Sequence, residues 1–273
     1  MNPLDLEPSL IALMLAMGCF AGFMAGLLGI GGGMLLVPGL TWLGARHGLD
    51  PAYVVKMSVA TSLATIVFTS ISSVRAHHKR GAVRWDIVAR LAPGIVIGSL
   101  LGAQFVRWIP SAALALCFAL FVGYSATQMF VDRKPKPSRQ LPGTPGMFAA
   151  GGGIGVLSAL VGAGGGFISV PFMVWCNVAI HAAVATSAAL GFPIAVAGTV
   201  GHLIAAPGVA GAPAGALGHI YVPALVLIAC ASVLMAPVGA WAAHRLNTRQ
   251  LKRVFAVMLY GLAAYMAWRA ATL

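Results

Sequence analysis

Residues 25–38 read AGLLGIGGGMLLVP, and residues 158–171 read SALVGAGGGFISVP. In both stretches three consecutive glycines separate two apolar segments, and a proline follows the second segment's first turn. Glycine tolerates backbone angles that other residues resist, so each run predicts a break between two helices. Because the pattern occurs once in each half of the chain, it decides the fold prediction.

The resemblance between the two halves continues after the glycines. The same order of residues follows each run, at the same spacing, and chance does not supply such an ordered series. We therefore infer an internal duplication, which is the common plan of secondary transporters. The matched positions are VATS 59–62 with VATS 184–187, Lys56 with His181, and His77 with His202.

The composition indicates a membrane protein. Of 273 residues, 60% are hydrophobic and only 8% are charged, whereas soluble domains carry about 25% charged residues. The net charge of +12 could suggest nucleic acid as a partner. We exclude that class because most Lys and Arg residues lie in short connections between apolar segments, where orientation signals of membrane proteins are found.

The sequence predicts an all-α integral membrane protein with ten apolar segments. Most segments approach the roughly 20 residues that cross the hydrocarbon core, but the second and seventh are too short and predict half-membrane helices. The segments are Ser9–Leu28, Met34–Ala45, Tyr53–Val74, Ile87–Trp108, Ser111–Val131, Met147–Val161, Phe167–Cys176, Ala182–Ala205, Ile220–Ala243 and Leu251–Thr272.

A proline-rich, charged linker at residues 132–145 divides this single transmembrane domain into repeat one, 9–131, and repeat two, 146–272. Five segments per repeat is an odd number, so the repeats should insert in opposite orientations. The basic connections 75–84, 132–145 and 244–253 should all be cytoplasmic, while 206–218 has no charged residue. We expect a multi-pass protein of the cell inner membrane with both termini outside.

The glycine runs are the first candidate site for a small anionic substrate. A half-length helix begins after each run with free N–H groups and a positive dipole end, which together favour an anion. The alternative is close helix packing through small residues. The candidate substrate-binding glycines are Gly31, Gly32, Gly33, Gly164, Gly165 and Gly166.

Polar side chains at matched positions extend this candidate site. Thr61, Ser62, Thr186 and Ser187 can donate hydrogen bonds to an anion, or donate to a carbonyl four residues earlier. Lys56 and His181 are candidate substrate or gating cations, since buried cations are costly and usually functional. Lys56 could instead reach the membrane interface.

His77 and His202 lie at segment ends, where we expect interfacial anchoring, with a place along the transport pathway as the alternative. Arg90 lies one turn after Asp86, which predicts an ion pair between them.

The carboxylates favour an anion as the substrate. Cation carriers usually keep an embedded Asp or Glu. Here all five carboxylates fall in tails, connections or segment ends: Asp5, Glu7, Asp50, Asp86 and Asp132.

Other functions stay open at this point. They are transport of another small anion or of a metal cation, and a membrane-embedded enzyme. Neither G-x-S-x-G nor H-E-x-x-H occurs in the chain, so we predict no catalytic residue, no metal site and no cofactor. The oligomeric state is not predicted.

GLLGIGGGMLLVP, KMSVATS, LVGAGGGFISVP and HAAVATS resemble the sulfite exporter TauE/SafE family of membrane permeases, over nearly the whole chain. The resemblance implies transport of a sulfur-containing anion, of the sulfite, sulfonate or sulfoacetate type, with proton coupling. Many relatives carry His at the position of Lys56.

Overall fold

The computed structural model describes residues 7–29, 31–131, 139–205, 213–243 and 248–273, without the side chains of 248–252. These residues form ten helices and one two-stranded hairpin. The elements are α1 Pro8–Leu28, α2 Gly33–Arg46, α3 Pro51–His78, α4 Trp85–Val106, α5 Ser111–Val131, α6 Thr144–Val161, α7 Gly166–Trp175, α8 Ile180–Ala205, β1 Ala216–Leu217, β2 Ile220–Tyr221, α9 Val222–Ala242 and α10 Thr248–Thr272.

Eight of these helices are long and apolar enough to cross a membrane. The other two are α2, with 14 residues, and α7, with 10. Both short helices follow a glycine in the left-handed conformation, so the prediction of a glycine break followed by a half-length helix is confirmed. The chain is therefore a multi-pass membrane protein built almost wholly of helices.

Two helix pairs pack backbone to backbone through glycines spaced four residues apart. On α1, Gly18, Gly22 and Gly26 face α9, and a Cβ on Gly22 would lie 2.3 Å from the carbonyl oxygen of Ser232. On α4, Gly94, Gly98 and Gly102 face α6 in the same way. Small residues at this spacing let membrane helices approach closely. In the predicted duplication, α6 is the counterpart of α1, and α9 is the counterpart of α4. The α1–α9 contact and the α4–α6 contact are therefore equivalent.

α3 and α8 run antiparallel through the centre of the bundle. Ser70 lies against Gly191, and Leu63 lies against Gly198, so the order of contacts along α3 is reversed along α8. α3 is the most enclosed of the described spans. Everything that α3 and α8 carry on their facing sides is thus buried. The orientation of the two halves relative to a membrane stays a prediction.

Some predicted boundaries were wrong at their ends. α3 continues to His78 instead of stopping at Val74, and α6 already begins at Thr144, inside the predicted linker. The β1–β2 hairpin was not predicted, because strands of two residues leave no periodicity in the sequence. Residues 132–138 of the linker lie outside the described residues.

Candidate functional site

The two glycine breaks meet in the interior of the bundle. A Cβ on Gly33 would lie 2.1 Å from the carbonyl oxygen of Gly162, and one on Gly31 would lie 2.9 Å from the Cα of Gly164. Neither distance leaves room for a side chain. The residues before α2 and α7, Gly32 and Gly165, have φ angles of 76° and 72°. Left-handed backbone and contact between main chains therefore both require glycine here.

Each break is closed by a serine from the other half of the chain. Ser62 Oγ donates to the carbonyl oxygen of Gly162 at 2.8 Å, and Ser187 Oγ donates to that of Gly29 at 3.0 Å. Gly162 and Gly29 are the residues that cap the C-terminal ends of α6 and α1. These hydrogen bonds satisfy carbonyl oxygens at the C-terminal ends of α6 and α1.

The neighbouring threonines form a second matched pair of contacts. Thr61 Oγ1 accepts a hydrogen bond of 3.0 Å from the N–H of Tyr221, directly before α9. Thr186 Oγ1 accepts one of 3.0 Å from the N–H of Arg84, directly before α4. The four predicted hydroxyls thus lie at the breaks and the adjacent helix starts, and all four have protein partners. Direct contact with a substrate stays a prediction for them.

The predicted cations are not brought to the breaks. Lys56 lies six residues before Ser62 on α3, about 9 Å along the helix axis, and its Nζ donates to the carbonyl oxygen of Arg107 at 3.3 Å. His181 is the second residue of α8 and is exposed. A binding role for either residue stays a prediction.

A small cavity of about 10 Å³ lies beside the first break, which is room for about one water molecule. Ser73 Oγ has no hydrogen-bond partner among the described residues, and its side chain is only 2% exposed. Ser70 and Ser73 follow Ser62 on α3 at helical spacing. This spacing is the sequence signal that could have placed them on the same face of the helix. The lining residues are Ala25, Gly29, Gly31, Ser70, Ser73, Ala188 and Gly191.

The residues of α3 that correspond in sequence to the cavity-lining residues of α8 have larger side chains. In the register that matches Thr61 with Thr186, Ala188 and Gly191 correspond to Leu63 and Ile66. Leu63 Cδ1 lies 3.0 Å from a Cβ built on Gly198, and Ile66 Cγ2 lies 3.3 Å from one built on Gly31. Ser70 and Ser73 correspond to Ala195 and Gly198. The matched positions of α3 and α8 therefore differ in both side-chain size and polarity.

The prediction that His77 and His202 anchor at the interface was wrong, since both side chains are buried, at 2% and 0% exposure. Because α3 extends to His78, His77 lies within the helix, one turn after Ser73. The Nε2 atom of His77 lies 3.0 Å from the carbonyl oxygen of Gly26. The His202 ring lies 6.4 Å from the ring of His219 in the β1–β2 hairpin, which covers the end of α8.

The described carboxylates lie away from the interior. Glu7, Asp50 and Asp86 are all exposed and lie at helix starts, as predicted, while Asp5 and Asp132 lie outside the described residues. The predicted ion pair between Asp86 and Arg90 was wrong. Asp86 forms its ion pair with Arg84 instead, with Arg84 Nη2 and Asp86 Oδ2 2.7 Å apart. Among the described residues no group of three or more His, Cys, Asp or Glu side chains could hold a metal ion.

Comparison with known proteins agrees with this architecture. The family model for the sulfite exporter TauE/SafE matches residues 14–266. No solved structure matches the chain significantly.

Three curated relatives are named as probable membrane transporter proteins. One, from Haemophilus influenzae, is 35% identical over 94% of this chain and 97% of its own length. Another, from Methanocaldococcus jannaschii, is 30% identical over 72% of this chain and 73% of its own. The third, YunE of Bacillus subtilis, is 26% identical over 70% of this chain and 78% of its own.

Proposed function

The chain belongs to the sulfite exporter TauE/SafE family, and from this membership we propose that it carries a small sulfur-containing oxyanion or organosulfonate across the cell inner membrane. The curated relatives are named as membrane transporters, and none of the three names describes an enzyme. The substrate class comes from the family description alone. The arguments below concern how this chain would bind such an anion.

One observation carries the proposal. The positive ends of two short helices, α2 and α7, begin beside each other in an interior where no described carboxylate is buried. Helix starts attract anions, and an embedded carboxylate would repel them. The carbonyls at the ends of α1 and α6 would oppose this attraction, but Ser187 and Ser62 donate hydrogen bonds to them.

The anion binds at the first break rather than equally at both. The cavity is there, and Ser73 supplies a buried hydroxyl without a partner among the described residues. The substrate's negative oxygen would accept from Ser73 and from the N–H groups at the start of α2. In the sequence register, the counterparts of Ala188 and Gly191 are the larger apolar residues Leu63 and Ile66, and the counterparts of Ser70 and Ser73 are Ala195 and Gly198. The proposal requires this cavity to widen during transport, since it has room for about one water molecule.

Lys56 and His181 act on the approach to the site. Lys56 lies near the start of α3 and His181 near the start of α8, and those two helices run antiparallel. The two side chains therefore belong to opposite ends of the bundle. A cation at each end would attract the anion from either side, which suits a carrier built from two inverted repeats with both termini outside.

Proton coupling, which the family resemblance implies, is assigned to His77. It is buried one turn from Ser73, so its charge could change close to the bound anion. Protonation of His77 would add a positive charge beside the substrate, and anion and proton would then move together.

Uptake into proteoliposomes tests the proposal. Purified protein should accumulate radiolabelled sulfite or sulfoacetate when the vesicle interior is more alkaline than the bath, because anion and proton move together, while a sodium or divalent cation label should not enter. A His77→Gln variant should lose the response to the pH gradient and keep downhill flux. Cation uptake without anion uptake would contradict the proposal, and catalytic turnover of the substrate would indicate an enzyme instead.

A further inference from the structure

A groove of about 620 Å³ lies between the last turns of α3 and α9, apart from the glycine breaks. Its walls are apolar side chains, of which Phe68 is 49% exposed and Trp241 is 47% exposed. Both helices are candidate membrane spans, so these side chains face the lipid. Ser72 Oγ donates to the carbonyl oxygen of Val233 at 2.7 Å and closes the inner end of the groove.

Three cations line the other end of the same groove. They are Arg75, Lys79 and Arg80, and Arg80 Nη1 donates to the carbonyl oxygen of Ala240 on α9. In the described part of the chain the one ion pair is Arg84 with Asp86, so these three cations have no carboxylate partner there. Three like charges that line one groove repel one another unless an anion lies between them.

The groove thus combines a wall for an acyl chain with a rim for a phosphate. A soluble anion would use the cations and leave the apolar wall empty. A neutral lipid would use the wall and leave the cations unpaired. Basic pockets between membrane helices, next to apolar surface, match the headgroup and upper chain of an anionic phospholipid.

We propose that this groove is a binding site for one anionic phospholipid, with the headgroup phosphate between Arg75, Lys79 and Arg80 and an acyl chain along Phe68 and Ile71. The bound lipid contacts the C-terminal turns of both α3 and α9 on the lipid-facing surface of the bundle. Its main effect is to stabilise that contact. The inference needs only that the chain spans a membrane, and it is independent of the transported substrate.

The test uses the full chain, purified and delipidated in a neutral detergent. Phosphatidylglycerol should raise the unfolding midpoint by about 5 °C, and native mass spectrometry should detect one retained lipid. Phosphatidylcholine and inorganic phosphate should each raise the midpoint by far less. Arg75→Gln with Lys79→Gln should remove most of the phosphatidylglycerol effect and leave Arg80 bonded to Ala240.

The matched control is Arg90→Gln with Arg253→Gln, which removes the same charge from exposed positions outside the groove. It should respond to phosphatidylglycerol as the parent does. Arg75→Lys, which keeps the charge, should also keep most of the response. An equal response in both double variants would overturn the assignment, and equal stabilisation by inorganic phosphate would show a soluble-anion site instead. A chain that dimerises and retains no lipid would overturn it as well.

Discussion

Ser62 and Gly162, which belong to different halves of the chain, are joined by a hydrogen bond of 2.8 Å. Its counterpart joins Ser187 to Gly29. Each half therefore completes the helix break of the other half, and the carbonyls of Gly29 and Gly162 lack these serine donors until both halves have packed. Irregular backbone inside a membrane persists only where protein surrounds it, and these two serines are part of that surrounding.

The first prediction follows from these serine contacts. Ser62→Ala or Ser187→Ala leaves a buried carbonyl without its donor and should lower the free energy of unfolding by about 1–3 kcal/mol. Denaturant titration in detergent measures the change. Ser125→Ala is the control, because Ser125 Oγ donates to the carbonyl of Phe121 within its own helix, where that oxygen also accepts a backbone bond. A loss as large in the control would show that the serines at the breaks have no special role.

The second prediction concerns the left-handed glycines. Gly32→Leu or Gly165→Leu should abolish transport, and even Gly32→Ala should destabilise the fold, because a Cβ there would lie 2.8 Å from the carbonyl oxygen of Ala21. Gly48 has a φ of 73° with no atom within 4 Å of a built Cβ. Gly48→Ala should therefore cost only the backbone strain, about 1–2 kcal/mol. Thermal unfolding of the two alanine variants separates the cost of backbone strain from the cost of the close contact. An equal loss of stability at Gly32 and Gly48 would contradict a close-contact role for Gly32.

Much of this site could be predicted from the sequence because it is duplicated. The glycine runs, the half-length helices and the four hydroxyls each recur with the same spacing, which distinguishes them from ordinary apolar sequence. The partners of the hydroxyls could not be predicted, since Ser62 contacts a residue 100 positions away. The cavity was missed for a related reason: Ser70 and Ser73 have no polar counterpart in the second half, so comparison of the halves passed over them.

The third prediction is a pH dependence of stability. Burial, and next the charge of Lys56, lower the pKa of His219 to about 4. Tyr53 and Lys56 on α3 and His202 on α8 face it, and no described carboxylate does. Between pH 6.5 and 4 the unfolded chain takes up a proton that the folded chain does not, so stability falls as the pH falls, by up to about 3 kcal/mol.

His219→Gln should remove this slope, which unfolding midpoints measured from pH 4 to pH 8 would report. Histidines other than His202, whose ring lies 6.4 Å from that of His219, contribute to the parent and the variant alike. The difference between the two curves therefore isolates His219 together with its effect on His202. Parallel curves for parent and variant would refute the assignment.

The fourth prediction concerns orientation. After the native cysteines are replaced, Gln140→Cys and Ala52→Cys introduce exposed thiols at the linker and at the start of α3. The basic connections favour the linker end as cytoplasmic. An impermeant maleimide added to intact cells should therefore label position 52 and reach position 140 only after lysis. Labelling of both thiols from outside would exclude the predicted topology.

The last prediction separates the cavity from the fold. A Cβ on Gly191 would lie 3.7 Å from the carbonyl oxygen of Gly164 and 3.7 Å from Ser70 Cβ, which are ordinary contact distances. Gly191→Ala should therefore fit and even stabilise α8, by about 0.5–1 kcal/mol, while its methyl group occupies part of the volume beside Ser73. Gly153→Ala is the matched control, because it makes the same change in α6 where no atom lies within 4 Å. Both variants should unfold at or above the parent's temperature, but only Gly191→Ala should lose anion uptake, by about tenfold if the methyl group costs the bound anion about 1.4 kcal/mol. Undiminished uptake by a stable Gly191→Ala protein would mean that the anion binds elsewhere than at the first break.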